Sequence, residues 1–452
     1  MNANLIDKDT SSADLDRLQS IAADVLGHAR ARGASEADVA ASIDLGLSVN
    51  VRLGEVETVE RTRDRGVSVT VWFGKRKGSA STADLDPASI VQTVEHACAI
   101  ARHTEEDPAN GLADPALHAT DRPDLDLWHP WDITAEEAID LAVGMEEAGR
   151  ALDPRIGNSD GAAVQVGASL SAYANSAGFA GTERGTHHSL SVSLIASDGA
   201  GMQRDYWYDS ARAPGDLADA ASIGRKAGER TLARLGARAL STRECPVLFA
   251  PEVARSLVGH FLSAISGGAL YRRASFLVDH AGKAVFPEWM QIVERPRILR
   301  GLGSAAFDAE GVGTRDSDLV RDGVLARYIL GSYSARKLGL TSTGNAGGVH
   351  NVLVRPGDDD FAALVKRMHA GLLVTELMGQ GVSLVTGDYS RGASGFWVEN
   401  GEIAWPVEEI TIAGNLADMY RNIVAVGADV DRRSSILTGS ILLERMMVAG
   451  EG

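Results

Sequence analysis

Histidine is the side chain that most often signals catalysis or metal binding, and the sequence contains 11 of them. A zinc peptidase of the helical type needs two histidines on one helix face, with a glutamate beside the first to activate water. None of the histidines is followed by glutamate, so neither HExxH nor HExxxH can be written. A Cys-x-x-Cys pair and a P-loop are also missing. These absences argue against a zinc site of its own in this chain.

The stretch 386–401 holds residue types that suit a binding loop: glycines, a tyrosine, an arginine, two serines and a Phe-Trp pair. Glycines allow varied backbone conformations, and a guanidinium binds anions through a planar fork. The alternative interpretation is a plain hairpin, because the Asn-Gly pair at 400–401 is a strong turn signal. The hairpin explains that turn but explains the polar middle less well. We therefore predict that a substrate cleft or a partner surface is shaped by Tyr389, Ser390 and Arg391.

The same stretch supports predictions about anchoring and peptide binding. Phe396 and Trp397 are expected to anchor the strand that follows. An extended peptide can be held by backbone hydrogen bonds to a strand edge, which tolerates varied side chains. Arg391 would then orient a carbonyl or carboxylate of the peptide through its planar fork.

The other notable histidines differ in their sequence context. His350 follows the glycine-rich segment 344–349, so a site role and a turn role are both open. His350 and its neighbour Asn351 are candidates for binding substrate or partner. His260 flanks the apolar face of a predicted helix, which favours a packed or half-buried histidine over a metal ligand. The pair at 187–188 lies in an alternating run, so we expect two strand-surface residues that point to opposite faces.

The N-terminal half, which must help to position these residues, shows two similar patterns. A predicted helix over 13–32 is followed by alternating strands and by a helix after Pro87. Residues 104–131 lack periodicity, which predicts a linker or a long surface loop. The segment 134–137 then has the form of a capping box. Further alternating runs and a helix over 216–235 complete a second unit of helix, sheet and helix.

The pattern of apolar and glycine residues changes from Cys245 onward. A short apolar strand leads into a helix at Pro251, which the Gly-Gly pair at 267–268 is expected to end. Short glycine-rich segments follow. The predicted fold class is α+β, with a two-part N-terminal helix–antiparallel-sheet region followed by a β-rich C-terminal domain. The predicted domains are two helix–sheet subdomains and the β-rich domain, at residues 1–110, 111–240 and 241–452.

The composition excludes several functional classes. The net charge is −17 and the densest basic run is only 75–77, so we predict no direct binding to nucleic acid. The first 20 residues lack the apolar segment of a secretion signal, and no apolar run is long enough for a membrane helix. Cys98 and Cys245 lie far apart in apolar contexts, which predicts two buried free thiols and a reducing compartment. We therefore expect a cytoplasmic protein.

Several long blocks of the C-terminal half resemble the PmbA/TldE branch of the TldD/PmbA family, also named modulator of DNA gyrase. The blocks are Phe307–Val312, Ser332–Gly339, Thr343–Asn351, Glu376–Ser383, 386–401 and Ile410–Leu416. The region Gly259–Arg273 occupies the place where the TldD branch carries its HExxxH helix, and that motif is absent here. The rest of the chain resembles the family in layout.

The resemblance implies a heterodimer of this chain with a TldD-type subunit, or a homodimer when that partner is absent. Zinc is expected in the TldD-type partner, with no cofactor and no catalytic residue in this chain. Together the two subunits would form a cytoplasmic metallopeptidase that acts on unfolded or peptide substrates. Maturation of peptide antibiotics and degradation of antitoxins are the activities the family implies.

Two other hypotheses compete with this one. The first is a non-enzymatic binding or regulatory protein that is linked indirectly to DNA gyrase. The second is a hydrolase that is sufficient by itself and uses a site without a known motif. Metal analysis of the purified chain and recovery of its partner from cell extract would separate the three hypotheses.

Overall fold

Two similar units form the N-terminal half of the protein in a computed structural model that describes residues 8–199 and 201–451. The first unit contains α1 (Lys8–Ala31), β1 (Glu36–Arg52), β2 (Glu55–Phe73), β3 (Arg76–Thr82) and α2 (Pro87–His103). The second unit repeats this order with α3 (Ala135–Arg150), β4 (Asn158–Asn175), β5 (Ala180–Ser197), β6 (Met202–Ala211) and α4 (Ala220–Ala233). The predicted repetition of helix, sheet and helix is therefore confirmed.

The strands of both units form one antiparallel sheet with the order β3-β2-β1-β4-β5-β6. The central pair joins the units, because β1 pairs with β4 from Asp38 opposite Asn175 to Val51 opposite Ala162. Alternate side chains of the strands are buried, as a period of two requires. In β1 the buried positions include Val39, Ala41, Ile43, Leu47 and Val49.

The four helices pack on one face of this sheet as two pairs, each with its own apolar core. α3 begins with the predicted capping box, in which Thr134 and Glu137 each accept a hydrogen bond from the backbone N–H of the other. A side chain at Gly149 or Gly224 would overlap the backbone where α3 and α4 meet. Glycine at these two positions is therefore required by close helix packing.

The connector between the two units, residues 104–134, is irregular as predicted, apart from one short 3₁₀ turn. It is not a free surface loop, because Ala109 and Leu112 are buried. The Arg336 guanidinium of the C-terminal domain donates to the backbone carbonyls of Ala109, Gly111 and Leu112. The expectation of a surface linker is wrong for this part, since the connector is packed between domains.

The C-terminal domain consists of short helices and many strands. The helices are α5 (Pro251–Ala264), α6 (Gly267–Tyr271), α7 (Ser332–Leu338), α8 (Phe361–Met368) and α9 (Leu416–Arg421). The strands are β7 (Ser241–Phe249), β8 (Ile292–Glu294), β9 (Ser317–Arg321), β10 (Val324–Leu325), β11 (Val352–Val354), β12 (Gly371–Met378), β13 (Asp388–Glu399), β14 (Glu402–Asn415), β15 (Ile423–Val426), β16 (Ile436–Leu437) and β17 (Ile441–Glu451).

These strands form two sheets, with the orders β10-β9-β8-β11-β16 and β14-β13-β12-β7-β17-β15. In the larger sheet β14 also pairs with β17, at Ile410–Ala413 opposite Met447–Gly450, so the sheet closes into a ring. The predicted turn joins β13 to β14, and Asn400 and Gly401 both have positive φ, as this turn type requires. The α+β class with a β-rich C-terminal domain is confirmed.

α5 starts with Pro251 in its first turn, as predicted, and buries one face that includes Leu257 and Phe261. It ends at Ala264, and Gly267 begins α6 instead of only ending α5. A side chain at Gly267 would overlap Ser334 of α7. The glycine is therefore needed for the close approach of α6 and α7.

The two cysteines have the burial that the sequence predicts. Cys98 and Cys245 are both buried and unpaired, as expected. Burial raises the pKa of the Cys245 thiol to about 11, so this thiol stays protonated at neutral pH. Within the described residues, no helix has both the length and the apolar character needed to cross a bilayer.

Candidate functional site

The predicted binding residues of the 386–401 stretch lie on β13, and two of them face α5. Tyr389 is 1% exposed, and its ring meets the imidazole of His260 edge-on with the ring centroids 6.0 Å apart. Arg391 lies two residues further along the same strand, where its charge acts on both groups. His260, Tyr389 and Arg391 together form what we call the α5–β13 cluster.

Burial determines the protonation states of the α5–β13 cluster. It lowers the pKa of His260, and the positive charge of Arg391 adds to this effect, so the imidazole is neutral near pH 7. Burial raises the pKa of Tyr389 to about 12 against the opposing effect of Arg391, so the phenol stays protonated. The His260 Nε2 is shielded from solvent and lacks a hydrogen-bond partner among the described residues. The Tyr389 hydroxyl is also shielded, but the Arg391 side chain lies beside it and its hydrogen bonding opposes the rise in the pKa of Tyr389. Because buried polar atoms are normally paired, the His260 Nε2 has unused capacity to bind a polar group.

Ser390 does not join this cluster. Alternation along the strand puts its exposed side chain on the opposite face of β13 from Tyr389 and Arg391. The Ser390 N–H donates to the carbonyl of Gly381 at 2.7 Å. Within the described chain, β14 flanks one side of β13, and β12 with the segment that follows it flanks the other. Within the described residues β13 therefore has no free edge, so an extended peptide cannot be held along this strand.

The aromatic pair near the end of β13 anchors the strand, as predicted. Trp397 is 8% exposed, and its ring stacks on Trp405 with the centroids 6.2 Å apart. The Arg243 guanidinium lies 5.1 Å from the centroid of the Trp397 ring. Phe396 is half-buried against a separate small core cluster. The stretch is thus one strand of a hairpin, which was the alternative interpretation.

His350 lies in the loop that leads into β11 of the smaller C-terminal sheet, apart from the α5–β13 cluster. Its backbone N–H donates to Glu294 Oε1 at 2.8 Å, and its Nδ1 lies 3.0 Å from the same oxygen. Glu294 is 1% exposed and also accepts hydrogen bonds from Arg327 and Asn345. Burial would raise the pKa of Glu294, but these hydrogen bonds and the charge of Arg327 outweigh it and hold the pKa below its ordinary value. We call these four residues the Glu294 network.

Asn351 is also buried, with 1% of its surface exposed. Its Oδ1 accepts from the Gly303 N–H, and its Nδ2 donates to Arg295 O and Ser304 Oγ. Its amide thus holds the loop that follows β8. The five predicted binding residues are therefore divided among the α5–β13 cluster, the exposed Ser390 and the buried loop just before β11.

Sequence reasoning missed Glu294 and Arg327, the charged pair at the centre of the Glu294 network. The signal that was present is a carboxylate directly after the apolar residues Ile292 and Val293. A charge in an apolar strand needs a partner, because an unpaired buried charge is very costly. The partner is 33 residues away along the chain, so the sequence does not identify it.

A second overlooked pattern is Gly157-Asn-Ser-Asp-Gly161, which has the Gly-x-Ser-x-Gly form of a hydrolase nucleophile elbow. Ser159 is fully buried in β4, and its hydroxyl donates to the carbonyl of Ser193 at 3.0 Å. An acyl-transfer nucleophile must be reachable by its substrate. The serine of this pattern is therefore a structural residue.

The histidine pair at 187–188 is divided between the two faces of β5, as predicted. His187 is exposed, but His188 is fully buried, with its Nε2 2.9 Å from the carbonyl of His129. The His188 ring also meets Trp131 edge-on. The expectation that both histidines lie at the surface is wrong for His188, because the connector covers this face.

Comparison with known proteins identifies relatives along the whole chain. Models of the PmbA/TldA metallopeptidase domain 1, central domain and C-terminal domain match residues 37–101, 128–235 and 242–450. Metalloprotease PmbA of Escherichia coli O157:H7 is 50% identical over 92% of both chains. The chain belongs to the PmbA/TldD metallopeptidase family. A PmbA homolog of Haemophilus influenzae is 48% identical over 93% of both chains. A TldD homolog of the same species is 24% identical, and the match covers 80% of this chain and 79% of the homolog.

Solved structures of the family have the same architecture. A protein from Bacteroides thetaiotaomicron, named as a modulator of DNA gyrase, has 27% identity and a TM-score of 0.91, covering 96% of this chain and 99% of its own. TldE from Thermococcus kodakarensis has a TM-score of 0.84 over 95% of this chain and 100% of its own. Its identity is 20%, so that likeness concerns the fold alone.

The name of the PmbA/TldD metallopeptidase family implies a metal, which the residues of α5 do not fit. His260 is the only histidine of the helix; Phe261 follows it, and Ile265 stands five residues on, where HExxxH has its second histidine. A protein zinc site needs three or four ligands from histidine, cysteine or carboxylate side chains. In the described part of the chain, no three such residues are grouped to hold a metal ion. The α5–β13 cluster can hold a polar group by hydrogen bonds, but it provides no metal-activated water.

Proposed function

We propose that this chain is the PmbA/TldE-type subunit of a cytoplasmic two-subunit metallopeptidase whose catalytic zinc lies in a TldD-type partner. The observation that carries the proposal is the helix α5, where the family resemblance places a zinc motif in the TldD branch. In this chain the helix presents a single imidazole, His260, with no carboxylate beside it. Such a helix leaves both metal binding and water activation to another subunit.

The proposal is supported by two further observations. Full-length relatives that carry the name PmbA are 50% and 48% identical to this chain, whereas the TldD homolog is more distant at 24%. One family thus contains both kinds of subunit. The substrates we propose are unfolded proteins or peptides, for which the α5–β13 cluster provides an uncharged imidazole, a phenol and a guanidinium.

The first test is the zinc content and activity of the purified chain. We expect no stoichiometric zinc by plasma mass spectrometry and no cleavage of an unstructured peptide by the chain alone. Addition of the TldD-type subunit should produce chelator-sensitive cleavage. His260→Ala serves as the matched variant, because it should leave the zinc content of the isolated chain unchanged.

Three outcomes would contradict the proposal. One tightly held zinc per chain that is lost in His260→Ala would place the metal here. Chelator-sensitive cleavage by this chain without its partner would make it a peptidase by itself. A stable complex that cleaves no peptide would favour the alternative of a regulatory protein without peptidase activity.

Arg391 provides a test of the α5–β13 cluster itself. It is half-buried, its Nε lies 3.4 Å from the carbonyl of Met378, and its guanidinium lies beside the Tyr389 hydroxyl, so removing it breaks weak contacts and should cost little stability. We expect Arg391→Ala to keep the wild-type melting temperature and to lower cleavage by the assembled enzyme about tenfold or more, the loss typical of a charged hydrogen-bond donor.

The matched control for this prediction is Arg17→Ala, which removes an exposed arginine of α1 in the N-terminal half. It should change neither the melting temperature nor the cleavage rate. Partner binding is measured in parallel for both variants. Wild-type cleavage and partner binding by Arg391→Ala would show that the β13 hairpin has only a structural role.

A further inference from the structure

A cavity of about 460 Å³ opens between the second N-terminal unit and the C-terminal domain. Its wall is built from β6, α4, the first turn of α5, β12 and the loop between β15 and β16, and its lining includes Trp207, Arg230, Glu252, Thr375, Asp429 and Arg432. We call this cavity the Trp207 pocket. Its volume lies within the range of small-molecule sites. It is separate from the α5–β13 cluster, because Glu252 lies about 12 Å before His260 along the axis of α5.

The indole of Trp207 forms an apolar wall of the pocket, and charged neighbours hold it in place. The guanidinium groups of Arg433 and Arg230 lie 4.0 and 4.9 Å from the ring centroid, within the range of cation–π contacts. Both arginines are fixed in turn by buried carboxylates. Arg230 donates to Glu252 at 2.7 Å, and Arg433 donates to the two oxygens of Asp431 at 2.9 and 3.0 Å. The Trp207 pocket is thus preorganised, which lowers the entropic cost of binding a ligand.

Two further cations of the pocket are available to a ligand. Arg432 is exposed, and its side chain makes no hydrogen bond or ion pair within residues 8–199 and 201–451. The Lys226 ammonium lies 4.0 Å from a carboxylate oxygen of Glu229, and its side chain is 51% exposed. A guanidinium with an unused planar fork binds a carboxylate through two hydrogen bonds. We therefore expect a ligand carboxylate to contact Arg432 first.

The pocket also offers a carboxylate and a hydroxyl. The Ser440 N–H donates to Asp429 Oδ1 at 3.0 Å, and the Ser440 hydroxyl donates to Asp429 Oδ2 at 2.6 Å. Each carboxylate oxygen can accept two hydrogen bonds, so each keeps one acceptor site. The Thr375 hydroxyl is shielded from solvent and lacks a hydrogen-bond partner among the described residues. A simple anion would be repelled by Asp429, whereas a ligand with both an ammonium and a carboxylate complements both charges.

We propose that the Trp207 pocket binds a short peptide with free termini, namely a dipeptide with an aromatic side chain. The carboxylate of the dipeptide pairs with Arg432, its ammonium pairs with Asp429, and its ring packs against Trp207. Its peptide group supplies a hydrogen-bond partner for the Thr375 hydroxyl. The inference does not depend on the proposed peptidase function, because binding to the isolated chain requires neither zinc nor a partner subunit.

Calorimetric titration of the purified chain with glycyl-phenylalanine tests the proposal. Its N-acetylated form and its C-terminal amide each lack one charge, and each should bind at least about tenfold more weakly. Arg432→Ala should weaken binding of the free dipeptide by a similar factor. It should not weaken binding of the amide further, because the amide has already lost that ion pair. The matched control is Arg421→Ala, which removes an exposed arginine of α9 in the same domain and should bind the dipeptide like wild type.

Tryptophan fluorescence locates the bound dipeptide. The protein has seven tryptophans, so the dipeptide should change the emission of the wild-type chain but not that of Trp207→Phe. Melting temperatures confirm that each variant is folded. The proposal would be overturned by no binding at millimolar dipeptide, by equal affinities for the dipeptide and its amide, or by equal losses in Arg432→Ala and Arg421→Ala. Inorganic phosphate that binds as tightly as the dipeptide would also overturn it, by showing a plain anion site.

Discussion

Replacing Arg327 with methionine is expected to lower the free energy of unfolding by about 3–5 kcal/mol, because it leaves a buried carboxylate without its partner. Glu294 is 1% exposed, and Arg327 is the only cation with a permanent charge that contacts it among the described residues. Arg327 also donates to Asn345 Oδ1 at 3.0 Å and to the carbonyl of Tyr328 at 2.9 Å. Methionine keeps the apolar part of the side chain and removes all of these bonds.

The matched control is Arg321→Met, which removes an exposed arginine paired with Asp318 in the same small sheet. Exposed ion pairs contribute little, so this change should barely alter urea unfolding. Equal effects of the two substitutions would contradict a structural role for the Glu294 network. The pKa of Glu294 is lowered in the folded state, so its contribution is present at neutral pH and is lost as the pH falls through that lowered value.

Removing the indole of Trp397 should also destabilise the protein strongly. Trp397→Ala is expected to cost about 3–5 kcal/mol, as is usual when a buried aromatic ring leaves a cavity. The lost contacts include the stack on Trp405 and the guanidinium of Arg243. Because the hairpin of β13 and β14 is part of the closed C-terminal sheet, the loss should appear in the global unfolding transition.

Trp289→Ala is the control for this prediction, since Trp289 is 47% exposed. Its replacement should change the unfolding midpoint far less. Trp397→Leu should recover part of the stability by filling some of the cavity. If Trp397→Ala unfolded at the same denaturant concentration as Trp289→Ala, the aromatic pair would not be the anchor of the strand.

Much of the fold was predictable because its signals are local. The capping box at Thr134 and the Asn-Gly turn at 400–401 depend on residues a few positions apart, and both were found where the sequence placed them. Helix ends were less accurate. α1 extends back to Lys8, and α5 ends at Ala264, because terminal turns depend on how neighbouring elements pack.

The candidate site was predictable only in part. The sequence marked Tyr389, Ser390 and Arg391 together as polar residues of a binding loop, whereas the structure places them on a strand whose alternation separates Ser390 from the other two. His260 was expected to be packed, and it is half-buried against Tyr389. The contact between His260 and Tyr389 was not predicted, because the two residues belong to elements that are far apart along the chain.

By itself, then, the sequence determined the fold class, the two repeated N-terminal units, the buried thiols and the absence of a zinc motif. These depend on composition, on periodicity and on residues within one turn of each other. The tertiary structure alone decided that β1 pairs with β4 to join the units, and that His350 is held by Glu294. It also left residues 55–65 of β2 with β1 as their one strand neighbour within the described residues. Such contacts link residues that are far apart in the chain. They are stabilised by burial of apolar surface and by the pairing of buried charges and polar groups. No local sequence pattern records which distant residue will be the partner.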